Sequence, residues 1–274
     1  MPTHSHSRVR DNVAVGCAVS RSTAFVVAFT LLTIAAAFLL PAMPQPADYH
    51  DFADKRHALG IDNFVDVVSN AAFLLAGLAG LVVVFSGRAR FEFPGERWPY
   101  AVFFLGILLT AAGSAWYHLA PDNETLFWDR LPMTIAFMGL VSSQVVDRIS
   151  VRAGLVLLGP MLLVGMASVV YWIVTERLGA GNVLPYALLQ GYAVIVLLLM
   201  AVLHRSRYTR GSDLYLIFGW YVLAKLLELF DAEVLAYGHL VSGHSLKHIA
   251  AALAGVVACR MLLLRTLAEP AREA

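Results

Sequence analysis

The sequence predicts an all-α fold, a polytopic bundle of membrane-spanning helices, on three observations. Hydrophobic residues make up 59% of the 274 residues and charged residues 14%, with a mean hydropathy of +0.70, which excludes an ordinary water-soluble domain. The apolar residues form eight runs, each close to the length of a membrane-spanning helix. Short polar connections separate the runs, with neither an internal repeat nor a soluble domain between them.

Each run is expected to cross the membrane as a helix, because about 20 helical residues span the hydrocarbon core and a helix satisfies its own backbone groups. The runs cover residues 24–40, 64–85, 99–119, 128–146, 154–174, 184–203, 214–230 and 244–264. The first run follows Arg8, Arg10 and Arg21, as the apolar part of a signal peptide would. No small-residue cleavage pattern follows it at residues 41–44, so we expect a retained helix.

Positive charges are distributed asymmetrically between alternate connections. One side carries only Lys55, Arg56, Arg177 and, at the start of a run, Arg130. The other side carries thirteen arginines: Arg8, Arg10, Arg21, Arg88, Arg90, Arg97, Arg148, Arg152, Arg205, Arg207, Arg210, Arg265 and Arg272. Since the cytoplasmic side keeps the excess of Lys and Arg, both termini are predicted to be cytoplasmic, which agrees with an even number of crossings.

This topology divides the chain into five parts. They are a cytoplasmic tail (1–23), an extra transmembrane helix (24–43), an acidic non-cytoplasmic loop (44–63), a helical bundle (64–265) and a second cytoplasmic tail (266–274). The 17 Arg against 3 Lys favour a bacterium and its cytoplasmic (inner) membrane; in a eukaryote the same topology means the endoplasmic reticulum or Golgi. The net charge of +1 offers no surface for nucleic acid, and nothing predicts a protein partner.

Four titratable side chains lie at the non-cytoplasmic ends of predicted helices, where each is costly and therefore a functional candidate. His118 ends the third run, Asp129 begins the fourth, and His244 and His248 open the eighth. A spacing of four residues places His244 and His248 on one helical face, about 6 Å apart along the axis. The topology brings His118 to the same membrane level.

The three histidines predict an open zinc site, because zinc accepts three imidazole nitrogens and keeps a fourth position for water, which it activates near neutral pH. Cys17 and Cys259 are the only cysteines, so a metal here must use histidines and carboxylates. Asp129 is placed to take a proton or to orient a histidine. Ser114, one turn before His118, is placed to hydrogen-bond the water or a developing oxyanion.

The order and spacing of these residues resemble the alkaline ceramidase family. The shared elements are Ser69-Asn70, Ser114-x-x-x-His118, an acid eleven residues later at Asp129, and His244-x-x-x-His248. A His-x-x-x-His pair alone is more typical of helix capping or packing, so the combination carries the likeness. It extends from about residue 49 to residue 264, across seven helices. The wider superfamily includes the progestin and adipoQ receptors, whose Ser, Asp and His pattern is similar.

The resemblance implies a seven-helix core, to which the first run is an addition, and a zinc ion held by His118, His244 and His248. It implies hydrolysis of the amide bond of ceramide to a sphingoid base and a fatty acid. Asp129 then corresponds to the family's proton acceptor and Ser114 to the serine near the metal-bound water. The catalytic face would lie on the non-cytoplasmic side, and the substrate would be a membrane lipid.

The resemblance also implies a calcium site in the acidic segment before the second run, where eukaryotic family members bind calcium. Asp51 and Asp54 resemble two of the ligands, and Asn63 stands where a glutamate is expected. Arg56 stands where a neutral amide is expected, and a guanidinium opposes an ion that needs six to eight oxygens. The alternative is that Asp51 or Asp54 pairs with Lys55 or Arg56.

Two function hypotheses remain open. The first is a zinc-dependent integral-membrane hydrolase that cleaves ceramide or a ceramide-like lipid amide entering from the bilayer. The second is a receptor or transporter, similar to the progestin and adipoQ receptors, in which the zinc is structural or the His and Asp residues relay protons. Elsewhere, Lys225 and Glu228 are predicted to neutralise one another, and Lys247 either to reach the interface by snorkelling or to pair with an acid such as Glu228 or Asp231.

Overall fold

The structure is a computed structural model that describes residues 20–269, and it is almost entirely helical. Ten α-helices and two isolated β-bridges, but no β-strand, occur between these residues. Cys17 and most of the predicted N-terminal tail, together with residues 270–274, lie outside the described residues. The all-α prediction is confirmed.

The helices follow the predicted runs closely. They are α1 (Arg21–Leu39), α2 (Phe64–Ser69), α3 (Ala71–Phe85), α4 (Arg97–Leu119), α5 (Asn123–Arg148), α6 (Val151–Arg177), α7 (Leu184–Leu203), α8 (Asp213–Leu229), α9 (Asp231–Gly238) and α10 (Gly243–Leu264). The second run is divided at Asn70, whose side-chain amide donates a hydrogen bond to the Asp66 carbonyl oxygen at 2.8 Å and competes with the helical backbone bonds. The short α9 falls in a predicted loop.

Six segments of the described chain are long and apolar enough to cross a membrane, which makes this a multi-pass membrane protein. They are α1, α2 with α3, α4 with the turn before it, α6, α7 and α10. Helix α8 has 17 residues, slightly short of one crossing. Helix α5 has 26 residues but carries Asp129, Arg130, Gln144 and Asp147, which lower its hydropathy. Of the eight predicted crossings, six are supported by length and composition.

Side-chain caps determine where several helices begin. The Asp122 carboxylate accepts a hydrogen bond from the Thr125 amide at 2.7 Å, and the Thr125 hydroxyl accepts one from the Asp122 amide, so α5 begins just after Asp122. The Ser150 and Ser242 hydroxyls cap α6 and α10. The cap at Ser242 fixes the turn of α10 from which two of the three histidines extend.

Six helices form a closed ring. In order around it, α3, α4, α5, α7, α8 and α10 each pack against the next, and α10 returns to α3. Helix α6 covers α5 and α7 from outside. Helix α1 packs mainly against α7, and Val26 is its one buried residue, so it lies at the periphery of the bundle. If α2 and α3 count as one, seven long helices remain as the core.

Close packing of α4 against α5 depends on small residues. A Cβ atom at Gly106 would lie 2.4 Å from a backbone nitrogen of α5, and a Cβ atom at Gly113 would lie 1.9 Å from the Trp128 carbonyl oxygen. Glycine at these positions allows the two backbones to approach as small residues do in membrane helices generally. The contact at Gly113 holds together the ends of α4 and α5 that carry His118 and Asp129.

Candidate metal centre

Three histidines meet at one end of the helix ring. His118 lies in the last turn of α4, and His244 and His248 lie in the first turns of α10. All three are buried, with 1%, 6% and 3% of their surfaces exposed. The structure thus brings together the three metal ligands that the sequence predicts.

The ring nitrogens are close enough to share one metal ion. The Nε2 atoms of His118 and His244 are 3.2 Å apart, and one nitrogen from each of the three rings lies within 4.8 Å of the others. Two nitrogens that bind zinc at 2.0–2.1 Å in tetrahedral geometry lie about 3.3 Å apart. The imidazoles therefore fit a metal ion, and within residues 20–269 they form the one such group of ligating side chains.

A hydroxyl orients one of the rings, and a carboxylate binds the backbone of a second histidine. The Ser69 hydroxyl lies 2.8 Å from Nδ1 of His248, which fixes that ring and leaves Nε2 as its free ligand atom. The His244 backbone amide donates a hydrogen bond to the Asp231 carboxylate at 2.7 Å. Nδ1 of His118 is buried and has no hydrogen-bond partner in the described part of the chain.

Asp66 is a buried carboxylate that secures the start of α10, and the sequence analysis missed it. Its Oδ1 atom accepts hydrogen bonds from the hydroxyls of Ser242 and Ser245. A carboxylate is stabilised at this position because the N-terminal end of a helix carries a partial positive charge. The available signal was an acid inside the second apolar run, where an unpaired charge is costly.

Phe52, in the acidic loop, covers the histidines from the loop side. Its ring centroid lies 4.7 Å from that of His118 and 4.5 Å from that of His244, and 6% of its surface is exposed. The next residue, Ala53, donates its backbone amide to the Asp231 carboxylate at 3.0 Å. Because Asp231 also binds the His244 amide, one carboxylate holds together the covering loop and the helix that carries His244 and His248.

A cavity of about 360 Å³ inside the ring reaches one of the three histidines, His248. Ser114, Asp129 and His248 line it, so both predicted catalytic residues and one predicted ligand face the same space. The lining residues on α7 extend from Tyr186 to Ala201, about 23 Å at 1.5 Å per residue. Most of the lining is apolar, and the volume is in the range of ligand-binding pockets.

No protein-family model matches this chain, and no curated protein matches it. The resemblance to the alkaline ceramidase family therefore stays a prediction that depends on the residues quoted for it. Five of these residues converge at one end of the ring: Ser114, His118, Asp129, His244 and His248.

The acidic loop pairs its charges internally. Asp54, 1% exposed, accepts a hydrogen bond from Nε of Arg56 at 2.7 Å, and the same guanidinium donates to the Leu240 carbonyl oxygen at 2.7 Å. The hydrogen bonds from Arg56 hold the pKa of Asp54 below its ordinary value. Asp51 forms an exposed ion pair with Lys55.

The residues predicted to bind calcium therefore have separate partners. Asp51 and Asp54 pair with basic side chains, and the Asn63 amide donates to the His118 carbonyl oxygen at 2.9 Å. No group of three acidic side chains lies at ligand distance within residues 20–269. The loop therefore shows the ion pairs of the alternative, and the calcium site stays a prediction.

Five charged side chains line the cavity, and the sequence predicted some of their contacts. Lys225 forms an ion pair with Glu228, and Lys247 donates to Glu228 at 2.7 Å, both as predicted. Asp129 lies near Ser114. Arg130 is 4% exposed among aromatic rings, although its position at the start of a run resembles that of an interfacial basic residue.

Proposed function

We propose that this protein is a zinc-dependent integral-membrane hydrolase that cleaves the amide bond of ceramide or of a ceramide-like lipid. One observation carries the proposal: three buried histidines converge, and one of them, His248, lines an apolar cavity together with Ser114 and Asp129. The resemblance in residue order and spacing to the alkaline ceramidases supports the same reaction. The long apolar lining suits an acyl chain.

The three imidazoles suit zinc, which accepts nitrogen ligands and needs neither a cysteine nor a carboxylate. When bound, zinc would act as a Lewis acid toward the amide carbonyl and activate water. His118, His244 and His248 would hold it, and Ser69 keeps the His248 ring in position. Calcium is not part of this proposal, because Asp51 and Asp54 already pair with Lys55 and Arg56.

Asp129 and Ser114 would carry the proton and charge changes of hydrolysis. Water adds its oxygen to the carbonyl carbon, the carbon–nitrogen bond breaks, and the products are a fatty acid and an amine. Asp129 accepts the proton released by water and returns it to the leaving nitrogen. The Ser114 hydroxyl donates a hydrogen bond to the carbonyl oxygen as negative charge develops there.

We further propose that the histidine end of the bundle faces away from the cytoplasm and that both termini are cytoplasmic, in a bacterial inner membrane. The excess of arginine on the opposite connections supports this orientation. Substrate then enters the cavity from the bilayer, since both ceramide and its acyl product reside there.

The test is hydrolysis of a fluorescent short-chain ceramide by detergent-purified protein, with zinc content determined on the same sample. We expect about one zinc per chain, as one three-histidine site requires, and fatty-acid release that a chelator abolishes. Zinc without turnover of any lipid amide would favour the receptor or transporter hypothesis. Protein that contains no metal after zinc loading would contradict the site itself.

A further inference from the structure

Arg130 is a buried cation, and two of its three side-chain nitrogens have no hydrogen-bond partner within residues 20–269. Its guanidinium carbon lies 4.3 Å from the ring centroid of Trp172, 4.8 Å from that of Tyr186 and 5.0 Å from that of Tyr49. Its Nε and Nη1 atoms have no hydrogen-bond partner in residues 20–269. The aromatic rings attract the cation, but they do not replace the hydrogen bonds that water would make with it.

Gln45 adds a second unpartnered polar group to the same cavity. It precedes Tyr49 by four residues, and Gln45, Tyr49 and Arg130 all line the cavity. Both side-chain polar atoms of Gln45 are buried without a hydrogen-bond partner in the described part of the chain. Buried polar groups are almost always hydrogen-bonded, so two such side chains facing one cavity indicate a polar ligand.

The balance of charge indicates that this ligand is an anion. Three cationic side chains, Arg130, Lys225 and Lys247, line the cavity with two carboxylates, Asp129 and Glu228. Both lysines pair with Glu228, so Asp129 is the one other acid of the lining, and the five ionised groups together carry a net charge of +1. A divalent metal on the histidines would add further positive charge. An oxyanion is the group that matches the planar donors of a guanidinium.

The position of Arg130 shows which half of a lipid amide would carry the anion. Arg130 packs against Tyr186 in the first turn of α7, so a group bound by Arg130 lies at the histidine end of the cavity, which Asp129 also lines. The acyl half needs the long apolar wall along α7. The anion therefore belongs to the amine half.

We propose that the substrate is an N-acyl lipid whose amine half carries an oxyanion group, an N-acylated amino acid, and that Arg130 and Gln45 bind that group. The assignment to a substrate rests on the proposed hydrolase function. The anion site itself does not, because it can be measured by binding alone.

Binding is tested with two ligands in which a sulfonamide replaces the amide bond, so that neither is hydrolysed. N-dodecylsulfonyl glycine carries the carboxylate, and N-dodecylsulfonyl ethanolamine is its neutral counterpart. Protein in phosphatidylcholine nanodiscs is titrated with each by calorimetry. We expect the acid to bind about tenfold more tightly or better, as a charge-assisted hydrogen bond implies. Equal affinity in the unsubstituted protein would overturn the inference.

Arg130→Met assigns the preference to one side chain, since Met fills similar space among the rings without charge. We expect it to lower affinity for the acid about tenfold and to change affinity for the neutral ligand less than about threefold. Arg177→Met, at an exposed pair with Glu124 on the same side of the molecule, is the matched control and should change neither. If Arg130→Met does not fold, Gln45→Leu is measured in its place, and we expect a smaller loss of affinity that affects only the acid. Equal losses for both ligands would overturn the inference.

Turnover separates this inference from the proposed function. Hydrolysis of N-dodecanoyl glycine is compared with that of N-dodecanoyl ethanolamine and ceramide. Faster hydrolysis of the acid supports both proposals. Hydrolysis of the neutral amides with no preference for the acid overturns the inference and leaves the hydrolase intact. Preferential binding of the acid without hydrolysis of any amide overturns the hydrolase and leaves the anion site.

Discussion

His248 and Asp129 face the same cavity but have different proposed roles, so substituting them separates metal binding from catalysis. His248→Ala removes one of three ligands and should abolish zinc binding and turnover together. Asp129→Asn keeps the ligands and should retain zinc, while kcat falls about 100-fold or more because the proton acceptor is lost. Metal content and kcat are measured on the same preparations.

The matched control for Asp129→Asn is Glu233→Gln, which neutralises an acid of α9 outside the cavity and should leave both zinc content and kcat unchanged. Full turnover by zinc-free His248→Ala protein would contradict the metallohydrolase. Loss of zinc from the Asp129→Asn protein would instead make Asp129 part of the metal-binding arrangement.

Ser69 contacts the proposed metal site through His248, so its substitution should lower the affinity of the protein for zinc. Ser69→Ala removes the hydroxyl that lies 2.8 Å from Nδ1 of His248. We expect zinc affinity to fall about 10–100-fold, as for other residues that orient a ligand histidine, while the helices stay folded. Competition with a chromophoric chelator measures the affinity. Ser86→Ala, at the exposed end of α3, is the control, and an equal loss there would contradict the role of Ser69.

At the scale of elements, the acidic loop depends on Asp54, whose ion pair with Arg56 is joined to the Leu240 carbonyl oxygen. Asp54→Asn removes the charge that binds Arg56 and should lower the melting temperature at pH 7 by about 2–4 °C, the effect of roughly 1 kcal/mol in a chain of this size. The melting temperature is followed for both proteins from pH 7 to pH 3.

The difference in melting temperature between the unsubstituted and Asp54→Asn proteins should depend on pH, because the pKa of Asp54 is depressed. Arg56 holds the pKa below the ordinary value, so the stabilisation is complete above the unfolded pKa of about 3.9 and is lost as the pH falls through the folded value. The two melting curves should therefore converge toward pH 3. A difference that stays constant down to pH 3 would show that Asp54 stabilises the loop by its shape rather than by its charge.

The end of the bundle opposite the histidines is closed by a buried ion pair between Asp147 of α5 and Arg265, which follows α10. The two side chains are 2.8 Å apart, with 3% and 1% of the residues exposed, and the Tyr100 hydroxyl donates to Asp147 at 2.6 Å. Removing one partner of such a pair leaves a buried charge unpaired, so Asp147→Leu should cost about 3–5 kcal/mol of folding free energy.

The double substitution Asp147→Leu with Arg265→Met should cost less than the single one, because no unpaired charge remains. Denaturation in mixed micelles measures the free energy of unfolding of the single and double variants. If the double variant is as unstable as the sum of the two single variants, the residues stabilise the fold independently rather than as a pair.

At the scale of the whole molecule, the sequence predicts the helices and the His244–His248 pair because both depend on local spacing, and His118 joins the pair through the predicted topology. Apolar runs of fixed length give the helices, and a separation of four residues places His244 and His248 on one face. The hydropathy of the second run does not predict the break at Asn70, which depends on a side-chain hydrogen bond. Nor does hydropathy predict α9, which lies beyond the end of the seventh run. The sequence counts Arg265 in the cytoplasmic charge excess, whereas its burial against Asp147 depends on how the bundle brings the ends of α5 and α10 together.

The contacts of Asp66 and Arg130 could not be predicted for a similar reason. Each is a charged residue at or within an apolar run, so the sequence identifies it as unusual but does not identify the residues that it contacts. Asp66 meets hydroxyls that lie 176 and 179 residues further along the chain, and Arg130 meets rings from three other segments. Only the closed ring of helices brings these groups together.

The orientation of the whole bundle is a prediction from charge alone, and it can be tested on single-cysteine proteins. In a background with Cys17→Ser and Cys259→Ala, Tyr237→Cys places a thiol on α9, at the histidine end, where the native residue is 94% exposed. Arg88→Cys places one at the opposite end, in the exposed connection between α3 and α4.

A membrane-impermeant maleimide added to intact cells should label Tyr237→Cys and should label Arg88→Cys only after the cells are permeabilised, because the arginine-rich connections are retained on the cytoplasmic side. Six or eight crossings give the same expectation, since both numbers are even. Permeabilised cells control for thiol reactivity in each protein. The reverse labelling pattern would place the three histidines at the cytoplasmic face, so that a substrate amide would have to be supplied from the inner leaflet.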